Sequence, residues 1–252
     1  MAKRNSLFLG DYSKPYQNVE VATAAALHDL GAYFDDEFGR RFRYCKNGGV
    51  ALVAGNIVQT SVLAGATTTL QTKAPIAVAA AIGDTRVFIQ ALTTAQSASI
   101  FKDGMAAFWL TAINGGFFRL VKDNNALLTT GTTNYIDLYE PLTVALGTSD
   151  TVALSINPYS GLVVVPATTP TGKIIGVPVC AVPIGYYFWC QVRGWAAVEL
   201  KDGAIAAGIA NIGGTTAGTV ISGTAAIFTQ DVGIASAAWA DESCGLIYLI
   251  CE

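Results

Sequence analysis

The chain has 252 residues, of which 52% are hydrophobic and only 13% are charged, with a formal net charge of −3. That length covers one large all-β domain or two small ones and is enough to bury a substantial core. A chain with no global basic field cannot hold DNA or RNA by neutralising phosphates, so no nucleic-acid partner is expected.

Soluble domains usually carry roughly 25% charged residues. A surface this poor in charge is expected where neighbouring subunits cover it, because the cores of interfaces lack charge. The charge is also unevenly placed. Residues 1–50 hold seven Lys/Arg and six Asp/Glu, 13 of the 33 charges, and the remaining 202 residues hold 20.

In chain order, residues 1–20 show no sustained period. Phe8, Tyr12 and Tyr16 recur every four residues, but Gly10 and Pro15 interrupt any helix. The segment reads as an extended arm whose aromatics suit docking on a partner. No apolar run follows Lys3-Arg4, so no secretory signal is expected. Residues 19–31 (VEVATAAALHDLG) read as one short helix, rich in the strongest helix former and stopped by Gly31. Asp35-Asp36-Glu37, beside Arg40-Arg41, reads as a solvated charged turn.

From Arg40 the period becomes two, with Phe42 and Tyr44 alternating with Arg41, Arg43 and Cys45 before a turn at Asn47-Gly48-Gly49. Arg40, Arg41 and Arg43 join Phe8, Tyr12 and Tyr16 as candidate interaction residues. Short strand-like runs then continue to the C-terminus, divided by Gly, Asn and Asp. They include 50–53, 57–62, 87–92, 106–112, 117–122, 135–138, 152–156, 161–165, 174–182, 186–192, 195–200, 205–209, 219–221, 226–229 and 245–251. Such spacing specifies sandwiches or barrels rather than βαβ units. The fold class expected is all-β, two sandwich- or barrel-like modules with an N-terminal arm and one short helix. The parts are an arm and helix over 1–45, strands over 46–80 joining the C-terminal module, a middle β module over 81–157 and a C-terminal β module over 158–252. Pro158 and the Pro166–Pro170 stretch mark the joint, since proline cannot sit in a central ladder. Residues 203–230 carry no charge, but six glycines with Asn, Thr and Ser divide them into strands and turns rather than a membrane span.

Reactive chemistry is sparse. His28 is the only histidine, so a Ser-His-Asp or Cys-His site would have to be built around it. The five cysteines (Cys45, Cys180, Cys190, Cys244, Cys251) form no CxxC pair and assemble no standard zinc constellation. Their odd number, without a signal peptide, predicts reduced thiols in a protein made in cytosol. Glycines 208, 213 and 214 are followed by no Gly-Lys-Ser/Thr and read as turn residues, not a phosphate loop. The aromatics Tyr186, Tyr187, Phe188, Trp189 and Trp195 could form a sugar platform, but strand alternation assigns about half of them to a core. No catalytic, cofactor-binding or metal-ligating residue is expected.

Four passages, taken in order, resemble virion structural proteins of tailed bacteriophages. Arg40-Arg41-Phe42-Arg43-Tyr44 with the following Gly-Gly-Val-Ala-Leu is similar to an opening "RxFxY" strand. Phe101-Lys102-Asp103-Gly104 is similar to an "F-x-D-G" turn that introduces a strand. Leu138-Tyr139-Glu140-Pro141-Leu142 and then Asn157-Pro158-Tyr159 are similar to an "L-x-E-P-L … NPY" passage. Gly185 to Gly194, through Trp189 and Gln191, is similar to a "G-x-Y-x-W-x-Q-x-x-G" strand pair, with Phe188 and Cys190 departing from it. The likeness spans roughly residues 32–252. It implies a non-enzymatic capsid decoration (cement) protein, made in the host cytoplasm and located in the virion. The implied partners are the major capsid protein or other virion proteins and further copies of itself in a homotrimer. Alternative readings are a tail or fibre component of the same virion and a carbohydrate-binding β module.

Overall fold

The computed structural model describes residues 6–7, 17–61, 74–92, 94–130, 133–167, 170–201, 204–212, 216–222, 231–240 and 243–252. They are essentially all-β. In chain order the strands are β1 (Ser6–Leu7), β2 (Tyr33–Asp36), β3 (Arg41–Lys46), β4 (Val58–Gln59), β5 (Ala74–Pro75), β6 (Arg86–Ile89), β7 (Met105–Leu110), β8 (Gly115–Asn124), β9 (Asn134–Leu138), β10 (Thr151–Ser155), β11 (Val163–Val164), β12 (Ile174–Pro178), β13 (Tyr187–Leu200), β14 (Gly208–Ile212), β15 (Val220–Ser222), β16 (Asp231–Ala235) and β17 (Ser243–Ile250). The chain divides into a discontinuous unit, Met1–Val62 with Tyr159–Glu252, and a continuous insert, Leu63–Pro158.

The discontinuous unit is an eleven-stranded sheet with the order β1-β2-β3-β13-β17-β16-β14-β15. Off that path, β12 pairs with β13 and β4, and β4 pairs with β11. The 14-residue strand β13 is its spine. Its first half pairs with β3 and its second half, Arg193–Leu200, pairs with β17. Both faces of the first half are covered. Phe188, Cys190 and Val192 enter one apolar cluster, while Trp189 enters another with Phe34, Phe42 and Tyr44. The halves meet at a β-bulge, where the register against β3 shifts between Gln191 and Arg193. Gly194 there has φ +85°, and a Cβ on it would come within 3.0 Å of the Arg40 Cα and the Gly39 carbonyl oxygen. Buried Gln191 supports the bulge, its Nε2 donating to the Arg193 carbonyl (3.2 Å) and the Trp195 carbonyl (2.8 Å). These bonds satisfy acceptors that the interrupted ladder leaves over.

The helix expected over 19–31 does not form. The segment runs through turns, bends and a single bridge between Thr23 and Tyr187. Thirteen Ala-rich residues do not repay helix nucleation without an apolar face to bury. Tertiary partners take the backbone instead: Thr23 and Tyr187 exchange N–H···O bonds of 2.9 and 2.8 Å, and the Leu27 N–H donates to the Tyr44 hydroxyl (3.0 Å). Within residues 1–20, read as an extended arm, the end is tied into the sheet. Gln17 is buried; its Nε2 donates to the carbonyls of Val21 (2.7 Å) and Tyr187 (3.2 Å). Its Oε1 accepts from the hydroxyls of Tyr44 (2.9 Å) and Thr23 (3.2 Å).

The insert is a six-stranded sheet of order β5-β10-β7-β8-β9-β6. The bridge between Ile76 and Ile89, with Ala77 N–H donating to Phe88 and Gln90 N–H to Pro75 (both 2.9 Å), joins the first strand to the last and closes it. Closure removes the free edges that would otherwise template aggregation. Its interior is one cluster, with Phe101, Phe108, Ile76, Ile89, Val121 and Leu127 among the most buried side chains. Residues 74–80 therefore stand in this barrel, where the sequence reading assigned 46–80 to the other module; residues 46–59 pair within the discontinuous unit.

The Phe101–Gly104 turn enters β7 through a tight approach. Asp103 adopts φ +57°, and a Cβ on Gly104 would lie 2.2 Å from the Ser155 carbonyl oxygen. Gly104→Ala is expected to lower barrel stability by about 2 kcal/mol or more, since backbone must move to admit the methyl. Gln17→Ala is expected to cost about 1–3 kcal/mol by leaving the buried Tyr44 hydroxyl without the acceptor it donates to. Urea titration followed by tryptophan fluorescence checks both, and a change below the error of the fit would refute the assigned contacts.

Candidate functional site

The expected docking arginines lie together at the β2–β3 edge, and the fold itself engages them. Arg40 Nε donates to Asp36 Oδ2 (2.6 Å), and Arg41 makes a two-pronged pair with Asp35 (2.7 and 2.8 Å). Arg43 pairs with Glu252 (2.9 Å) and donates through Nη1 to the Gly31 carbonyl (2.8 Å). The guanidinium groups of Arg41 and Arg43 lie 5.1 and 5.0 Å from the Tyr33 ring centroid. Asp35 and Asp36, read from sequence as a solvated turn, are the end of β2. Phe8, Tyr12 and Tyr16, the aromatic half of the expected site, lie outside the described residues.

The Arg41 hydrogen bonds hold the Asp35 carboxyl below the usual aspartate value. Partial burial pushes Glu252 up, but bonds from Arg43 and the Tyr159 hydroxyl (2.7 Å) outweigh it and hold it below the usual glutamate value. Both groups bind protons more weakly folded than unfolded. Their contribution is present above the unfolded carboxylate range of about 4 and is lost as pH falls through the depressed folded values. Thermal melts from pH 7 to 3 are expected to show a steeper acid loss for the native chain than for Glu252→Gln, the two curves converging at the acid end. Parallel curves would refute the role given to Glu252.

A second, uncharged surface lies on the outside of the barrel. In the three antiparallel strands β10, β7 and β8, registers align Thr151–Trp109–Gly116, Ala153–Ala107–Phe118 and Ser155–Met105–Leu120. These residues face away from the core while Ala106, Phe108, Leu110, Val152 and Leu154 fill it. An outward face of an antiparallel sheet is normally polar. Here Trp109 is 46% exposed, Phe118 62%, Leu120 46% and Met105 39%. Between the two rings runs a groove of about 550 Å³, floored by Ala107, Gly116 and Ala153. Gly116 is required by close approach, since a Cβ there would lie 2.6 Å from the Phe108 carbonyl oxygen.

The large sheet carries a related face. Trp195, Tyr248 and Ile234 align across β13, β17 and β16, with Leu246 and Ile250 beside them, and the Trp195 and Tyr248 rings meet edge to face at 5.4 Å. The sequence reading did not mark either face. The available signal was the run Met105-Ala106-Ala107-Phe108-Trp109-Leu110, a strand apolar on both faces.

The aromatic run read as core rather than as a sugar platform is largely so: Phe188 and Trp189 are fully buried, Tyr186 and Tyr187 are partly buried against the apolar clusters, and Trp195 joins the exposed face of β13. His28 is buried among aromatics, 5.0 Å between centroids from both Tyr44 and Trp189. Among the described residues, no group of three or more His, Cys, Asp or Glu is placed to hold a metal ion, and no helix is long and apolar enough to cross a membrane.

Burial raises the Cys190 thiol well above its ordinary value and pushes Cys251 up to about 12, whereas Cys244 is exposed. A thiol reagent at pH 8 is expected to label Cys244 first and to reach Cys45, Cys190 and Cys251 only in denaturant. Mass spectrometry of the labelled chain reads the order directly.

No protein-family model, no curated protein and no solved structure matches this chain.

Proposed function

We propose that this chain is a non-enzymatic structural protein that works by assembly, and specifically a capsid decoration (cement) protein on the outer head surface of a tailed bacteriophage. The observation that carries the assembly reading is the uncharged, aromatic outer face of the barrel, on a chain with only 13% charged residues. An apolar patch rimmed by polar residues marks a contact surface. The virion assignment rests on the four ordered sequence passages. In this reading the major capsid protein is the partner and the chain forms homotrimers, with the virion as its location. Rigid β structure and shape-matched uncharged contacts supply what such a role needs, without a reactive centre.

Electron cryomicroscopy of particles carrying the protein tests the assignment. Density for the two units is expected on the head surface. Density on tail or fibre would replace decoration with the tail reading, and absence from particles would end the virion reading. A hydrolase screen and a glycan array on the purified chain are expected to show neither turnover nor binding; either would move it to another functional class.

A further inference from the structure

We propose that the outer face of the barrel formed by β10, β7 and β8 pairs with the same face of a second copy of this chain. The inference rests on the assembly reading and adds to it a two-fold contact between copies, distinct from the three-fold contact of a homotrimer.

A two-fold contact requires a patch that is its own complement, with projections and hollows side by side. This face has both. Phe118 and Trp109 project, and the hollow between them is floored by Ala107, Ala153 and Gly116. Strand register places Phe118 directly across from Ala107, so the projection and the hollow are neighbours in one row. A two-fold axis lying in the interface along β7, over Ala107, carries each Phe118 over the other copy's Ala153 and brings the two Trp109 rings together.

Charge points the same way. None of the nine residues in the grid is ionisable, so the matching surface is also uncharged, and this face supplies that chemistry. The area sets the strength. Taking about 150–250 Å² for a whole aromatic side chain, the four large side chains leave roughly 400 Å² of apolar surface in water. With the small residues between them, two copies bury roughly 1,000 Å² in total, the lower bound for a specific interface. The pairing is therefore weak and concentration-dependent, unless a scaffold holds copies close and raises their effective concentration.

Sedimentation velocity of the full chain over a wide concentration range tests this. Reversible pairing is expected, and Phe118→Asp is expected to weaken it at least about tenfold by placing a charge in an apolar contact. Because Phe118→Asp could disturb the barrel, a second measurement uses Ala107→Cys in a Cys244→Ser background with a short bis-maleimide cross-linker, because facing sheets lie about 10 Å apart, beyond the reach of a disulfide. A covalent dimer is expected from the position at the axis, and none from Val78→Cys, which is exposed on the barrel outside this grid. Pairing unchanged by Phe118→Asp, or no excess cross-linking at Ala107, would overturn the proposal. A trimer indifferent to both variants would overturn pairing at this face while leaving assembly intact. A chain that stays monomeric at all concentrations and forms no Ala107→Cys dimer would overturn the pairing, and particle imaging would then decide the assembly reading independently.

Discussion

The discontinuous unit depends on the bulge in β13. A 14-residue strand paired without interruption would keep one set of neighbours along its length. The shift at Gln191–Arg193 and the left-handed Gly194 bend it, so its first half pairs with β3 and β12 and its second half with β17. A bulge leaves backbone acceptors without ladder partners, and a buried one would be costly. The Gln191 amide removes that cost from within. One buried polar side chain and one glycine thus make possible the packing of Trp189 on one face and Phe188 on the other.

The same economy recurs where strands cross closely. Gly176 in β12 and Gly233 in β16 sit where a Cβ would lie 2.1 Å from the Gln191 carbonyl oxygen and 2.2 Å from that of Tyr248. Each is the middle residue of an Ile/Val-Gly-Ile/Val triplet, at 175–177 and 232–234. In the barrel the equivalent position is Gly104, against the Ser155 carbonyl.

Much of the all-β architecture was legible because its strands are short, separated by Gly, Asn and Asp, and half-buried. The strands over 106–112, 117–122, 135–138, 152–156 and 245–251 lie within a few residues of β7, β8, β9, β10 and β17. What failed has specific causes. β2 was hidden because half of it is Asp35 and Asp36, whose ion pairs with Arg41 and Arg40 replace apolar burial as its signal. The helix over 19–31 was read from propensity, which tertiary hydrogen bonds override. Tyr186–Val192 and Trp195–Leu200 were read as two strands because Gly194 looks like a turn; a buried glutamine three residues earlier is what makes it a bulge within one strand. The first boundary of the insert, at Leu63 rather than 81, was missed because pairing between β4 and β11 across some hundred residues leaves no local trace.

The four passages singled out in the sequence divide by role in a way that bears on the site. Phe42, Tyr44, Trp189 and Gln191 are buried, and Phe101 fills the barrel core. Gly104 and Gly194 hold close approaches. Tyr159 packs against Gly31, where a Cβ would lie 2.8 Å from its ring. Residues of this kind specify a fold and are constrained whatever the molecule binds. Trp109, Phe118, Met105 and Leu120 belong to none of those passages, and nothing in the barrel interior requires them, because Phe108, Leu110 and Val121 already fill it. Large apolar side chains left in water gain nothing for the isolated barrel, since their burial contributes only when something covers them. Exposed rings beside deliberately small neighbours are therefore features to be explained by contact, and the fold-specifying motifs are not.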